Sequence, residues 1–577
     1  MRQHDQDGNF LRVPPTYSVP RLTYYEQHCT GPIASAEVPA SSDQGEAEPR
    51  IAPALGNLAS LTISFAGSSV LTILIARFLG PHTYGTYALL TWIIFSVNAI
   101  AGAGFRMTMT KHVAQYFGAK AGDIAAAIVR TVLFWQGTLG LALAGALALC
   151  VPWLPNLTLF SGTSASASLS LLELLLTAVA LPCVLLAGTA IAALQGLQRY
   201  DLVALITAFA LPIEVLCSLV VLELGWSISG LLAVLGGVNV LTFFAALLFT
   251  NTWLPLVSAS RLPAAIGRTL RHYGGSIVII ALFDMIVWQR SEVFFLAYYR
   301  PAAEAGFYNL AYTLASTVMN LLPGALAGVL VPAITRLLAD TPAHADRQPV
   351  RSGYHGQPVH TTNAPPETWT RASELFLRGA RHLSLLAFPL AGVGIAFAPD
   401  LLQLVIGAHY LPVASPLRVL LVSSAIAAIS GACSAVLYST NRQRIILMIG
   451  APVAALNLTL DILFIPRFGL MGAAWSNLAA QVCAALTAFM IASRLLQVMF
   501  PWQDILRVIG GTLLGIMPLW YIYQAIFLPR FPVPVALFIA LLAIGPCCIA
   551  ALWLARALTV EDILLLVATL RRVVRPR

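Results

Sequence analysis

The sequence predicts an all-α integral membrane protein with about fourteen transmembrane helices. They are expected to form two six-helix lobes in a parallel pseudo-repeat, followed by two C-terminal helices. Apolar residues make up 58% of the 577 positions and charged residues only 10%, against roughly 25% charged residues in soluble domains. Many charge-free apolar stretches of about 20 residues are long enough to cross a bilayer.

A phrase that occurs twice predicts the division into two lobes. Each copy joins the end of one apolar segment to the start of the next, and the copies lie 221 positions apart. A constant spacing is typical of a duplicated architecture, and duplicated membrane proteins are usually transporters with a substrate site between the halves. The residues that recur are Ala76 and Ala297, Gly85 and Gly306, Tyr87 and Tyr308, and Leu89 and Leu310.

The predicted elements follow in order along the chain. Residues 1–52 are polar and lack the apolar core of a signal peptide, so they are expected to form a disordered cytoplasmic tail. The predicted N-terminal lobe covers 53–250, and the C-terminal lobe covers 251–497 with a flexible cytoplasmic loop at 339–370. Residues 498–577 add two helices and a basic cytoplasmic tail. The spans lie near 55–78, 85–105, 126–151, 170–194, 202–222, 228–250, 273–298, 306–334, 383–405, 414–439, 445–465, 470–493, 505–526 and 533–555.

The distribution of charge predicts the orientation. Basic residues fall almost entirely on alternate connections, and the positive-inside rule then places that side and both termini in the cytoplasm. This topology accounts for the net charge of +9 and argues against nucleic acid as a partner. The eight cysteines form no CxxC pair, which argues against a disulfide framework or a zinc site.

The chain contains no catalytic motif that we can identify. There is no Gly-Lys-Ser/Thr phosphate loop, no Gly-x-Ser-x-Gly elbow and no His-Glu-x-x-His pair. We therefore expect neither an enzyme nor a cofactor. The remaining candidates are ionisable residues within or beside the spans, because each needs a partner, a wet cavity or an interface.

The seventh predicted span is the richest in such residues, with Asp284, Arg290 and Glu292. If the span is one helix, the two acids lie about 80° apart and Arg290 points elsewhere. The three residues indicate either a cavity lined by one cation and two acids or a set of interhelical ion pairs. The sequence leaves both interpretations open.

Four other ionisable residues are candidates. Arg77 and Arg106 lie at the ends of the first and second predicted spans. They are either cations at the outer and inner mouths of a substrate path or interfacial anchors. Glu214 and Asp461 are acids within spans, where each could bind a proton or a sodium ion or serve a structural role.

Four motifs in the expected order resemble the bacterial polysaccharide and O-antigen flippases. These Wzx-type proteins belong to the multidrug/oligosaccharidyl-lipid/polysaccharide exporter superfamily. The resemblance covers about 55–497 and extends weakly over 500–555. The motifs are Ala76-Arg-Phe-Leu-Gly-Pro-x-x-Tyr-Gly-x-Tyr-Ala88, Ala193-Leu-Gln-Gly-Leu-Gln-Arg-Tyr200, Ala305-Gly-Phe-Tyr-Asn-Leu-Ala-Tyr312 and Ile465-Pro-Arg-Phe-Gly-Leu-Met-Gly-Ala-Ala-Trp475.

The resemblance implies a function and a site. It implies two lobes around a central cavity, in the bacterial inner membrane, that move an oligosaccharide on undecaprenyl diphosphate between leaflets. The resemblance implies a cationic cavity, a role that fits Arg290 best and Arg77 and Arg106 less well. In the family's seventh span an acid commonly follows the arginine, and Glu292 stands at that place here. Membrane lipid, H⁺ or Na⁺ and a polysaccharide polymerase or synthesis complex are the implied partners. The alternatives are a cation-coupled multidrug antiporter of the same superfamily and a membrane polysaccharide polymerase or ligase.

Overall fold

In a computed structural model, all regular secondary structure in the described residues is helical, as predicted. No β-strand occurs in this part of the chain. The described residues are 51–150, 170–256, 262–288, 291–321, 323, 324, 326, 330, 334, 366–440 and 443–558.

The described residues form thirteen α-helices, in addition to short 3₁₀, π and single-turn segments. In order they are α1 (Ile51–Gly118), α2 (Gly122–Cys150), α3 (Leu171–Gly196), α4 (Tyr200–Glu223), α5 (Ser227–Trp253), α6 (Ala264–Trp288), α7 (Ser291–Tyr299), α8 (Ala302–Leu321), α9 (Pro366–Val405), α10 (Ala414–Ser439), α11 (Gln443–Leu496), α12 (Trp502–Ile522) and α13 (Val533–Leu554).

Ten described segments are long and apolar enough to cross a membrane, which makes this a multi-pass membrane protein. Two of them, Ala66–Gly118 and Met448–Leu496, are 53 and 49 residues long. A straight helix of either length would extend about 75–80 Å, more than twice the hydrocarbon thickness. Each is instead divided into two arms by a glycine with positive φ, Gly80 (φ 73°) or Gly469 (φ 53°). The ten segments do not confirm a count of fourteen, which stays a prediction.

The described part of the seventh predicted span lies in α6 and α7, and Gln289 and Arg290 between them lie outside the described residues. The angle predicted between Asp284 and Glu292 therefore stays a prediction. One predicted boundary differs from the structure: residues 366–370, predicted as the end of the loop 339–370, belong to α9. Residues 1–50 of the predicted tail are not described.

The buried apolar side chains form separate cores along the bundle. One core joins α1, α2, α3 and α5 around Met109 and Leu194. Another joins α9, α10 and α11 around Phe376 and Val436. A third core connects α1 with α7, α8, α10 and the 3₁₀ turn Ala408–Val413. The lobe boundaries at 250 and 497 stay predictions, but this third core identifies the helices that meet beside the site.

Candidate functional site

A cavity of about 560 Å³ lies among α1, α4, α5 and α8. Its volume is within the range of small-molecule pockets, roughly 300–1,000 Å³. Both arms of α1 contribute to it, because the kink at Gly80 separates them. The polar and aromatic residues of its lining are Ser68, Thr72, Tyr84, Tyr87, Thr91, Trp92, Phe95, Ser96, Asn98, Arg106, Glu214, Asn239, Asn309 and Thr313.

Arg106 supplies the only positive charge in the described lining of this cavity. Its Nη1 donates to the side-chain oxygen of Asn98 at 2.8 Å, and its Nη2 donates to the Asn98 carbonyl at 3.2 Å. The side chain therefore points back along α1, as long helical side chains tend to do. A Cβ at Gly102 would lie 2.6 Å from Nη1, and one at Gly188 would lie 3.3 Å from it. Two glycines thus leave the space that the guanidinium occupies.

Glu214 supplies the only negative charge in that lining. It lies on α4, two residues after Pro212, and is half-buried. Among the described residues it forms no hydrogen bond and no ion pair, and Arg106 is not its partner. The described cavity therefore contains one cation and one acid that do not neutralise each other. A cavity with a net positive charge stays a prediction that depends on Arg290.

A second polar cluster is fully buried where α7 meets the two arms of α11. Glu292 is 1% exposed and Asp461 is 0% exposed. The amide of Asn477 donates to Glu292 Oε1 at 3.0 Å, and the amide of Asn457 approaches the same oxygen at 3.5 Å. The Ser476 hydroxyl donates to Asp461 Oδ1. The sequence named the two acids separately, and the structure brings them into one cluster.

Ser291 connects the two acids in this cluster. Its hydroxyl donates to Asp461 Oδ2 at 3.4 Å and accepts from the Asn457 amide at 3.3 Å. No described lysine or arginine forms an ion pair with either carboxylate. A buried ionised carboxylate is costly without a compensating charge. A proton or a small cation bound between Glu292 and Asp461 would supply that compensation.

The two copies of the repeated phrase contact each other. A Cβ at Gly85 would overlap the carbonyl oxygen of Ala302. A Cβ at Gly306 would lie 2.9 Å from the Gly85 nitrogen and 3.0 Å from the Pro81 carbonyl oxygen. We call this backbone-to-backbone approach of α1 and α8 the glycine contact. It is possible because neither glycine has a side chain.

Hydrogen bonds join the same helices around the glycine contact. The Asn309 amide donates to the Tyr84 hydroxyl at 2.9 Å, and Ser69 and Thr317 share a hydrogen bond between their hydroxyls. The Tyr410 hydroxyl, from the 3₁₀ turn Ala408–Val413, donates to the Ala76 carbonyl of α1 at 2.6 Å. Since Tyr84 is 1% exposed and lines the cavity, these contacts lie beside it.

The other predicted site residues are not brought to the cavity by described contacts. Arg77 is exposed and does not line it. Arg290 lies outside the described residues. The backbone of Asp284 lies in α6, but its side chain is not described. Their roles stay predictions.

Sequence reasoning missed the amides of the site, Asn98, Asn457 and Asn477. Asn457 and Asp461 are four residues apart on α11, a spacing that places them on one helix face and could have been recognised. No comparable signal connects Asn477 with Glu292, which are 185 positions apart. That contact depends on the packing of α7 against α11.

Comparisons with known proteins agree with this architecture. Residues 55–338 match the family model described as polysaccharide biosynthesis protein. The resemblance predicted from the sequence is confirmed. No curated protein matches the chain in sequence.

Several solved structures share the fold of this chain. The lipid II flippase MurJ in an inward closed conformation has a TM-score of 0.64 at 12% identity, covering 86% of this chain and 98% of that chain. An inward-facing multidrug resistance MATE transporter of the MOP superfamily has a TM-score of 0.60 at 14% identity, covering 77% and 98%. An outward-facing MATE transporter has a TM-score of 0.52 at 13% identity, covering 77% and 95%. These proteins are flippases and transporters rather than enzymes, in agreement with the prediction.

Proposed function

We propose that this protein is a flippase that moves an oligosaccharide linked to undecaprenyl diphosphate across the bacterial inner membrane for cell-surface polysaccharide synthesis. Both termini lie in the cytoplasm in this proposal, as the distribution of basic residues indicates. The family match over 55–338 and the MurJ-like fold support a flippase. The observation that carries the proposal is Arg106, held by Asn98 in a polar cavity of the membrane bundle.

The physical difficulty of this reaction is to move a charged diphosphate and a polar glycan through hydrocarbon. The cost of transferring such groups into an apolar medium is prohibitive without compensation. A guanidinium binds phosphate oxygens through two parallel hydrogen bonds, and the cavity hydroxyls and amides replace water around the glycan. The polyprenyl chain can remain in the lipid.

The glycine contact supports an alternating-access cycle. In this proposal the contact is the outer gate, because the predicted topology places it on the outer side of the membrane. The substrate would enter from the cytoplasmic side, the lobes would rock, and the contact between Gly85 and Gly306 would separate to release the glycan outside. Binding of H⁺ or Na⁺ between Glu292 and Asp461 would couple this cycle to an ion gradient. A polysaccharide polymerase or synthesis complex would then receive the product.

The proposal predicts that Arg106→Ala reduces surface polysaccharide by at least tenfold in cells that depend on this protein. Loss of a hydrogen-bonded charge costs about 1.5–3 kcal/mol, or about 10–100-fold. The measurement is the amount of surface polysaccharide at equal protein level. Arg290→Ala is expected to have the same effect. The exposed Arg371→Ala is the control, and Arg77→Ala in the same assay tests the remaining predicted cation. Normal export by Arg106→Ala would remove Arg106 from the mechanism.

Gly102→Ala is predicted to act on Arg106 without changing its charge. The new methyl group would meet Nη1, so the guanidinium must leave its position on Asn98. We expect transport in proteoliposomes to fall several-fold while the melting temperature changes little. Gly237→Ala, in a helix where no atom lies within 4 Å of the new Cβ, is the matched control. Equal transport by both variants would contradict the prediction.

One observation favours a second candidate function, a cation-coupled multidrug antiporter of the same superfamily. Glu214 lines the same cavity as the aromatic rings of Trp92 and Phe95, a combination that suits an organic cation. Cells that express the protein would then resist cationic drugs, and its loss would leave surface polysaccharide unchanged. The flippase predicts the opposite pair of results.

A further inference from the structure

Glu214 is an acid that lines the cavity without a partner among the described residues. Arg106 is held by Asn98, but among the described residues nothing donates to the Glu214 carboxylate. A half-buried carboxylate without donors has lost part of its hydration and gains nothing in return. A bound molecule that donates hydrogen bonds would compensate for that loss.

The cavity extends along the second arm of α1. Tyr87 lines it together with Glu214, whereas the Arg106 guanidinium is hydrogen-bonded to Asn98 and packs over Gly102. Tyr87 and Asn98 are 11 positions apart on this arm, which is about 17 Å at 1.5 Å per residue. Arg106 and Glu214 do not bond to each other, so a ligand with an anionic end at Arg106 can present another part to Glu214.

The groups around Glu214 suit hydroxyl-rich rings. Asn239 lines the same cavity from α5. Its amide nitrogen is already committed to the Leu235 carbonyl at 2.8 Å, which leaves its side-chain oxygen as an acceptor. A carboxylate and an amide oxygen accept hydrogen bonds from neighbouring hydroxyls. The aromatic faces of Tyr87 and Trp92 can cover the apolar face of a sugar ring.

We propose that Glu214, with Asn239, is a specificity-determining residue that binds the hydroxyl groups of the glycan, while Arg106 holds the diphosphate. The inference rests on the proposed flippase function and adds an orientation to it. The sugar lies between the diphosphate and the glycine contact, so it leads the diphosphate toward the predicted outer side. Glu214 is then a substrate ligand and not the ion-coupling acid.

The test uses two probes and the full-length protein in detergent. The first probe is the undecaprenyl diphosphate oligosaccharide that accumulates in a strain lacking this protein, and the second is undecaprenyl diphosphate without sugar. Native mass spectrometry of an equal mixture gives the ratio of the two bound lipids. Wild type is expected to prefer the sugar-bearing lipid, and Glu214→Gln to reduce that preference about tenfold, the effect of losing one charge-assisted hydrogen bond. Its affinity for the bare lipid is expected to remain unchanged.

Controls separate this inference from the function on which it rests. Glu223→Gln, an exposed acid at the end of α4, is expected to retain the wild-type preference. Asn239→Leu is also expected to lower the preference for the sugar-bearing lipid. This variant replaces Glu214→Gln in the test if Glu214→Gln does not fold. An unchanged preference in both cavity variants would overturn the inference but not the flippase. Equal loss of both lipids together with loss of ion-dependent transport would assign Glu214 to coupling instead. A wild type that binds neither lipid would overturn the proposed function itself.

Discussion

Gly85→Ala abolishes transport in reconstituted vesicles, if the glycine contact is the outer gate. The added methyl group would overlap the carbonyl oxygen of Ala302, so α1 and α8 could not approach as they do here. Overpacking of a close contact typically costs about 1–3 kcal/mol, which is enough to shift the balance between two conformations by tenfold or more. The measurement is the rate at which lipid-linked oligosaccharide reaches the opposite leaflet of proteoliposomes, with the melting temperature as a check on folding.

Gly306→Ala tests the same contact from the other copy of the repeat. Its Cβ would lie 2.9 Å from the Gly85 nitrogen, so we expect the same loss of transport. Gly145→Ala is the matched control, since this glycine lies in α2 with no atom within 4 Å of the new Cβ. Alanine there favours the helix by about 0.5–1 kcal/mol. Wild-type transport by both Gly85→Ala and Gly306→Ala would show that the cycle does not need this contact.

Asp461→Asn removes the dependence of transport on the ion gradient, according to the proposed coupling site. Asparagine has nearly the same shape but no charge, so the buried cluster keeps only the carboxylate of Glu292 and loses one of the two acids proposed to bind the ion. We expect gradient-driven transport to fall at least tenfold while the protein remains folded. The melting temperature of the wild type should rise when Na⁺ replaces choline, or when the pH is lowered if the ion is H⁺. An ion at 100 times its Kd stabilises by about 2.7 kcal/mol.

The variant and its control should differ in this stabilisation. Asp461→Asn and Glu292→Gln are each expected to weaken the Na⁺ effect or the pH effect, and the double variant is expected to lose it. Asp123→Asn, an exposed acid in the first turn of α2, should respond like the wild type. If Asp461→Asn keeps the full response to the ion that stabilises the wild type, the coupling site lies elsewhere.

Particular residues show how far prediction from sequence reached. The spacing of 221 positions between Gly85 and Gly306 marked a duplicated element, but only the structure showed that the two copies touch. Arg106 and Glu214 were named as candidates, and both line the cavity. Arg77 was named on the same grounds, yet it is exposed. A charge within a span or at its end was the signal in each case, and that signal does not say which way the helix face carrying the residue turns.

Composition, apolar length and the repeat were enough to predict an all-α membrane protein with a duplicated architecture, because hydrocarbon forces the backbone to satisfy its hydrogen bonds within helices. These requirements act on each segment separately, so they can be recognised in the local sequence as long apolar stretches. The partners of each buried polar group were decided by packing between distant helices, as with Glu292 and Asn477 or Arg106 and Gly188. Such contacts depend on which faces of α7 and α11, or of α1 and α3, turn toward each other, and a single sequence does not specify those rotations.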